Sequence, residues 1–426
     1  MTTAEVPSVY RRFATAVGAR FWQGAVARQE EAIRFNPFLR EHLRSEYAIA
    51  YQLERLRIVF AKFNTVPYEV CNDSSLFPAL AFAAQVLEVL KRSRHKQAKT
   101  FVKRVRTAFA SSENMHGLCL ELQAATHFTR RGHSVIWHRV SNGGTFDLLV
   151  EDLGPNGLEV ECKSISTDKG RRIHRRDALE FWGELWSEVA GVVGNLRSGL
   201  AVVLTVAERL PRDLQERVRL VKGIVARIIE GRGAELGGGA SVRIETFDIV
   251  RIEKVISNIG NQLREVINDV TFTTNRESVL HRTPQGGILA FVMQSRVNDD
   301  VLDQMFATLD SSAGRQFTLQ RGALFWVALQ GIDADQLWSL HLQDRNPGER
   351  ATGLTRRVSD FLNRAPDHIV GVVFGSRSGL IPVVDGDTDS GGMTFFFLKE
   401  ESPHWHASFR DPLRALQATE QSTLAD

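Results

Sequence analysis

Between Gly144 and Ile165 the chain reads Gly-Thr-Phe-Asp-Leu-Leu-Val-Glu-Asp-Leu-Gly-Pro-Asn-Gly-Leu-Glu-Val-Glu-Cys-Lys-Ser-Ile, and no other stretch limits the fold so narrowly. Two β-prone segments, 145–151 and 158–165, flank Gly154-Pro155-Asn156-Gly157. Gly, Pro and Asn supply the backbone angles that a tight reversal needs, so the pattern predicts a hairpin. Side chains alternate across a strand, which puts Glu159, Glu161 and Lys163 on one face and Leu158, Val160 and Cys162 on the other. A hairpin turning about Gly154 pairs residues equidistant from it. Asp147, seven positions before, then faces Glu161, seven positions after.

Directly opposed carboxylates repel across an antiparallel pair unless positive charge lies between them. Lys163 and a divalent cation would supply that charge. Carboxylate oxygens are hard ligands suited to Mg²⁺ or Mn²⁺, and Mg²⁺ takes as few as one or two protein carboxylates, with water and phosphate completing its shell. Hydrolysis of a phosphodiester needs an activated water and a stabilised negative charge; a metal supplies both, and an ammonium assists with the second. The plainer alternative is an amphipathic hairpin whose acids and lysine are solvated.

The surrounding pattern bears on that choice. A helix fits 113–131, with Leu118, Leu122, Ala125 and Thr129 as its stripe, Glu121 at the stripe's edge and Gly132 as its stop. A strand fits 134–140, followed by the loop Ser141-Asn142-Gly143-Gly144 and the two strands of the hairpin. A helix over 177–193 and a buried strand over 199–206 come next, giving the order helix, three strands, helix, strand.

On these residues the chain resembles the PD-(D/E)xK nuclease superfamily, the restriction-endonuclease-like fold, over about residues 113–206, with Phe146 where the name-giving proline stands. The resemblance implies an α/β fold with an α-β-β-β-α-β core. It implies metal ligation by Asp147, Glu161 and the backbone carbonyl of Cys162, and a Lys163 that orients or activates the water. Glu121 would bind a second metal or anchor the lysine. The implied activity is that of an Mg²⁺- or Mn²⁺-dependent endonuclease on nucleic acid, DNA ahead of RNA, and antiphage defence is among the roles such enzymes serve. A non-catalytic nucleic-acid-binding or assembly protein that keeps the fold is the competing expectation.

Before this core, residues 10–106 repeat apolar side chains every three or four positions, the pattern of a helical region interrupted at Pro37, Pro67 and Pro78. Its last helix carries Lys96, Lys99, Lys103 and Arg104 in a run with no acid between Glu88 and Glu113. A second basic cluster, with Lys169, Arg171, Arg172 and Arg175, follows the hairpin. Either cluster can contact a phosphate backbone, and either can be an ordinary solvated surface. After Pro211 helix and strand signals continue to alternate, with strands expected at 242–249, 288–293, 323–329, 369–374 and 394–398. The expected domains are a helical region at 1–110, a nuclease-like domain at 111–275 and an α/β region at 276–426, with the flanks available for a homo-oligomer or a protein partner.

Composition excludes little beyond this. A net charge of +3 permits a polyanionic partner without requiring one. The three cysteines, Cys71, Cys119 and Cys162, show neither a disulfide framework nor zinc-site spacing, which favours a reducing compartment. With a mean hydropathy of −0.17 and no signal-peptide pattern, a cytoplasmic chain without membrane contact is expected.

Overall fold

The computed structural model describes residues 3–137, 146–249, 276–332, 334–346, 348, 350–376, 379–382, 388–391 and 393–414. The chain divides into two compact units: Met1–Gln29, Glu46–Lys169 and Leu302–Asp426 form the first, and Glu30–Ser45 with Gly170–Val301 the second. The last residues of the expected strand at 134–140 and the loop 141–144 fall outside the described residues.

The first unit opens with helices α1 (Val6–Val17), α2 (Ala48–Phe63), α3 (Phe77–Arg92) and α4 (His95–Ala108), packed around a core that includes Phe13, Trp22, Phe82, Phe101 and Phe109. Pro78 lies in the first turn of α3, where its missing N–H costs nothing. By length and composition alone the segment Ser74–Arg92 is apolar enough to cross a membrane, and eight of its side chains, from Leu76 to Leu87, are buried in this core.

Helix α5 (Ser112–Arg130) starts where the Ser111 side chain accepts from the Asn114 N–H at 3.3 Å, a cap that satisfies one of the helix's orphan donors. It is apolar on two sides. Met115, Leu118 and Leu122 join the N-terminal core, while Leu120, Ala124, Ala125 and Phe128 pack on the sheet.

That sheet begins with β1 (Val135–Trp137), β2 (Leu148–Val150) and β3 (Leu158–Ile165), each antiparallel to the next. The turn between β2 and β3 needs both its glycines. Gly154 and Gly157 have φ of +73° and +82°, and a Cβ on Gly157 would lie 3.0 Å from Leu149 Cδ1 and 3.1 Å from the Val150 oxygen. The pairs Leu148–Val160, Leu149–Glu159 and Val150–Leu158 are all equidistant from Gly154, the register expected from the turn.

After β3 the chain builds the second unit. Its helices are α6 (Arg175–Val193) and α7 (Leu214–Glu230), and its strands are β4 (Gly199–Val206), β5 (Ala234–Gly237), β6 (Ala240–Phe247), β7 (Arg276–Arg282) and β8 (Ile288–Ser295). These strands form a mixed sheet in the order β5-β6-β4-β8-β7, with β4 and β8 parallel. Phe181 and Trp182 of α6 are core residues, and Gly183 is required because a Cβ there would lie 2.5 Å from the Asn36 amide. The same Asn36 side chain donates to the Leu179 carbonyl at 2.9 Å, fastening the 30–45 segment to this unit.

The chain then re-enters the first unit through α8 (Val301–Ala313) and β9 (Ala323–Leu329), followed by α9 (Gly353–Arg364), β10 (Ile369–Gly375), a ribbon of β11 (Gly379–Pro382) and β12 (Thr388–Gly391), and β13 (Thr394–Leu398). The first sheet is thereby completed in the order β1-β2-β3-β9-β10-β13, with β9 parallel to both β3 and β10. Both faces of β9 are covered: Leu324 and Trp326 pack with α5, and Phe325 and Val327 pack with α8 and α9. Each such large side chain contributes on the order of 2 kcal/mol by leaving water.

The mixed α/β class agrees with expectation, but the neighbour of β3 does not. Residues 199–206 form a strand where one was predicted, yet β4 pairs with β6 and β8 in the second sheet. The partner of β3 is β9, with Glu161 beside Phe325 and Lys163 beside Val327. Both 199–206 and 323–329 are continuous apolar runs suited to a strand buried on two faces, and pattern alone cannot say which one joins β3. Nor do the expected divisions near 110 and 275 coincide with the units, since the N-terminal helices and the C-terminal strands fall in one compact unit with the hairpin.

Candidate active site

The hairpin and α5 bring three acids into the interior. Asp147, Glu161 and Glu121 are 2%, 1% and 5% exposed. A carboxylate so placed is costly unless hydrogen-bonded or paired, and the chain meets each one. The Asp147 N–H donates to the Val160 carbonyl at 3.2 Å, one residue off the β2–β3 register. Its Oδ2 accepts from the Cys162 N–H at 2.9 Å. Lys163 Nζ donates to Glu161 Oε1 at 2.8 Å and to Gln316 Oε1 at 2.6 Å. Glu121 Oε1 accepts from Arg104 of α4, whose guanidinium also lies 6.0 Å from the Trp137 ring centre.

The paired register ends at Leu148–Val160, and Asp147, one residue before it, bonds to Val160 through its N–H and to Cys162 through its carboxylate, while alternation keeps Lys163 on the face of Glu161. Glu121 also bears on the Cys162 thiol. Burial pushes that thiol well above its ordinary value; Asp147, Glu121 and Glu161 push it further, and Arg104 opposes them. Asp147 beside β2, Glu161 on β3, Glu121 on α5 and Arg104 on α4 thus all bear on one side chain.

Asp147 and Glu161 offer hard carboxylate oxygens, which fits Mg²⁺ or Mn²⁺ in donor chemistry because such an ion needs only one or two protein carboxylates. A site made wholly of side chains is a different matter. Among the described residues no group of three His, Cys, Asp or Glu side chains is spaced to hold a metal ion. Water and phosphate oxygens would have to complete the shell.

The expected basic contacts separate into two kinds. Lys96, Lys99 and Lys103 are exposed along α4, and Lys169 is exposed after β3. Arg104 turns inward to Glu121. Arg171 and Arg175 both pair with the buried Glu277, at 3.0 and 2.6 Å, while Arg172 pairs with Glu208 and Asp300, each at 3.4 Å. These arginines are already engaged with acids within the protein, unlike the exposed lysines.

Glu159, Gln316 and Arg321 went unassigned in the sequence. Alternation places Glu159 on the face of Glu161, and the acid is fully buried against Thr318 and Arg321. No local signal links Lys163 to a glutamine 153 positions away.

Comparison with protein-family models, curated proteins and solved structures finds no match to this chain.

Proposed function

We propose that the chain is a metal-dependent nuclease of the PD-(D/E)xK type, acting on DNA. The observation that supports the reading is the β2–β3 hairpin, in which the Asp147 carboxylate accepts from the Cys162 N–H and the neighbouring Lys163 donates to Glu161. A second observation supports it. The order α5, β1, β2, β3, α8, β9 reproduces helix, three strands, helix, strand, with the second unit as an insertion after β3. In this reading Asp147, Glu161 and the Cys162 carbonyl hold Mg²⁺ or Mn²⁺, which activates water and offsets developing charge. The Lys163 ammonium has three donors, two of them directed at Glu161 and Gln316, and the third can meet a phosphate oxygen. The exposed lysines of α4 would grip the phosphate backbone.

The test is to incubate the protein with plasmid, linear duplex, single-stranded DNA and RNA, each with and without Mn²⁺. Metal-dependent cutting is expected, and Asp147→Ala or Lys163→Ala should lower it by at least about 100-fold without unfolding the protein. Unchanged cleavage in both variants would sink this site. Cutting of RNA alone would move the substrate and keep the chemistry.

One observation favours a second reading, a non-catalytic nucleic-acid-binding protein: Glu121 and Glu161 each already have one carboxylate oxygen paired, with Arg104 and Lys163. Metal titration separates the two readings. A millimolar Mg²⁺ or Mn²⁺ that leaves the melting temperature unchanged while DNA still binds would select the binding protein.

A further inference from the structure

The strand face bearing Glu159, Glu161 and Lys163 is met by one short segment, Gln316 to Arg321, between α8 and β9. At one end Gln316 Oε1 accepts from Lys163 Nζ at 2.6 Å. Toward the other, the Thr318 N–H donates to Glu159 Oε2 at 2.9 Å, and its hydroxyl donates to Oε1 of the same acid. Arg321 Nε lies 3.3 Å from Glu159 Oε1, and the Glu159 N–H donates to the Gly322 carbonyl at 3.0 Å. Glu159 is fully buried, so it is an anchor made of charge and hydrogen bonds in a place where water cannot substitute for them.

The segment is also held against its own preference. Leu319, between the two anchoring residues, has a φ of +64°, a left-handed conformation that a branched side chain avoids unless its surroundings impose it. A strained backbone fastened at Glu159 can deliver Gln316 in one position and keep it there.

We infer that Gln316 is a positioning residue for Lys163, delivered by a segment that Glu159 fastens to β3; the inference rests on the nuclease reading of that lysine. Lysine is a long flexible side chain with freely rotating donors, and a single acceptor leaves the direction of its remaining donors unspecified. Glu161 and Gln316 together fix two of them. The third then points in one direction, which a reaction at a phosphate requires.

The test compares Gln316→Leu, which keeps the bulk and removes the acceptor, with Gln316→Glu, which keeps an acceptor oxygen. In single-turnover cleavage of duplex DNA with Mn²⁺, Gln316→Leu should lower the rate constant roughly 10- to 100-fold while leaving the Kd for DNA unchanged, and Gln316→Glu should recover most of the loss. A substrate-free readout runs beside it: the rate at which an amine-reactive reagent modifies Lys163, followed by peptide mass spectrometry, should rise several-fold in Gln316→Leu. A purely structural role for Gln316 predicts falls in affinity and thermal stability instead, with no rescue by glutamate. Wild-type protein that cuts no nucleic acid overturns the nuclease reading and this inference with it. Wild-type protein that cuts, beside a Gln316→Leu variant of equal rate and equal Lys163 labelling, overturns this inference alone.

Discussion

Arg104 shows how one side chain divides a basic run. It lies at helical spacing with Phe101, Val105 and Ala108, the buried stripe of α4, whereas Lys96, Lys99 and Lys103 fall on the opposite side. A cation in the inward stripe must meet an acid, and here the acid is Glu121, whose side chain is only 6% exposed. Arg104→Ala should therefore destabilise the protein by about 3 kcal/mol, the low end for removing one partner of a buried pair because the arginine is part-exposed. Lys99→Ala should stay within about 0.5 kcal/mol of wild type. Urea denaturation measures both, and equal, small losses would show that the Arg104–Glu121 pair does not support the fold. The direction of Arg104 was legible in the phase of its helix. That of Arg171 and Arg175 was not, because Glu277 lies more than 100 residues away in sequence. A run of basic residues reports charge, and only its phase or a distant acid decides which charges remain at the surface.

At the scale of elements, the hairpin could be read from the chain because its register is set locally, by a turn that only glycine tolerates. The identity of the strand beside β3 could not, because parallel pairing is chosen by burial across long connections. Helix α5 lies between these cases. Its stripe was visible, but its second apolar face reflects contact with the late-arriving β9 and the C-terminal segment. His127 makes that contact testable. Its Nε2 lies 2.8 Å from the Pro412 carbonyl, Arg131 Nη1 lies 3.2 Å from its Nδ1, and its ring sits 4.9 Å from that of Trp326. These partners suit the neutral ring with the proton on Nε2, the assignment the carbonyl requires. Burial, helped by the Arg131 charge, lowers its pKa from 6.5 to about 4. Above pH 6.5 both folded and unfolded chains hold the ring neutral, and the contribution is fully present. As pH falls below that value the unfolded chain takes up the proton first, so stability declines until the folded ring titrates near pH 4. Between pH 7 and pH 5 the loss from this residue should be about 2 kcal/mol. His127→Gln should flatten that part of the profile in urea denaturation. A variant with the wild-type slope would assign the loss to other buried histidines such as His368, which burial shifts in the same direction.

For the whole molecule, the insertion of Gly170–Val301 between β3 and α8 means that sequence neighbours are not structural neighbours. The sequence pattern described the strands well, since 199–206 and 323–329 form strands at those positions, but it said nothing about which sheet would claim them. If each unit is held by its own core and its own buried charges, damage to one should remain in it. Glu277 is the place to test this, because its side chain is 8% exposed and two arginines of the same unit converge on it. Glu277→Ala would leave both guanidinium groups facing a gap, at a cost of about 3 kcal/mol. Since every 1.4 kcal/mol is tenfold in an equilibrium, amides of β4, β6 and β8 that exchange by unfolding of their unit should exchange roughly 100-fold faster, as read by hydrogen-exchange mass spectrometry. Amides of β3, β9 and β10 should keep their wild-type protection, and so should the Asp147–Glu161 hairpin. An equal acceleration in both sheets would mean that the chain unfolds as one cooperative unit, with the insertion integral to the stability of the strand that carries Lys163.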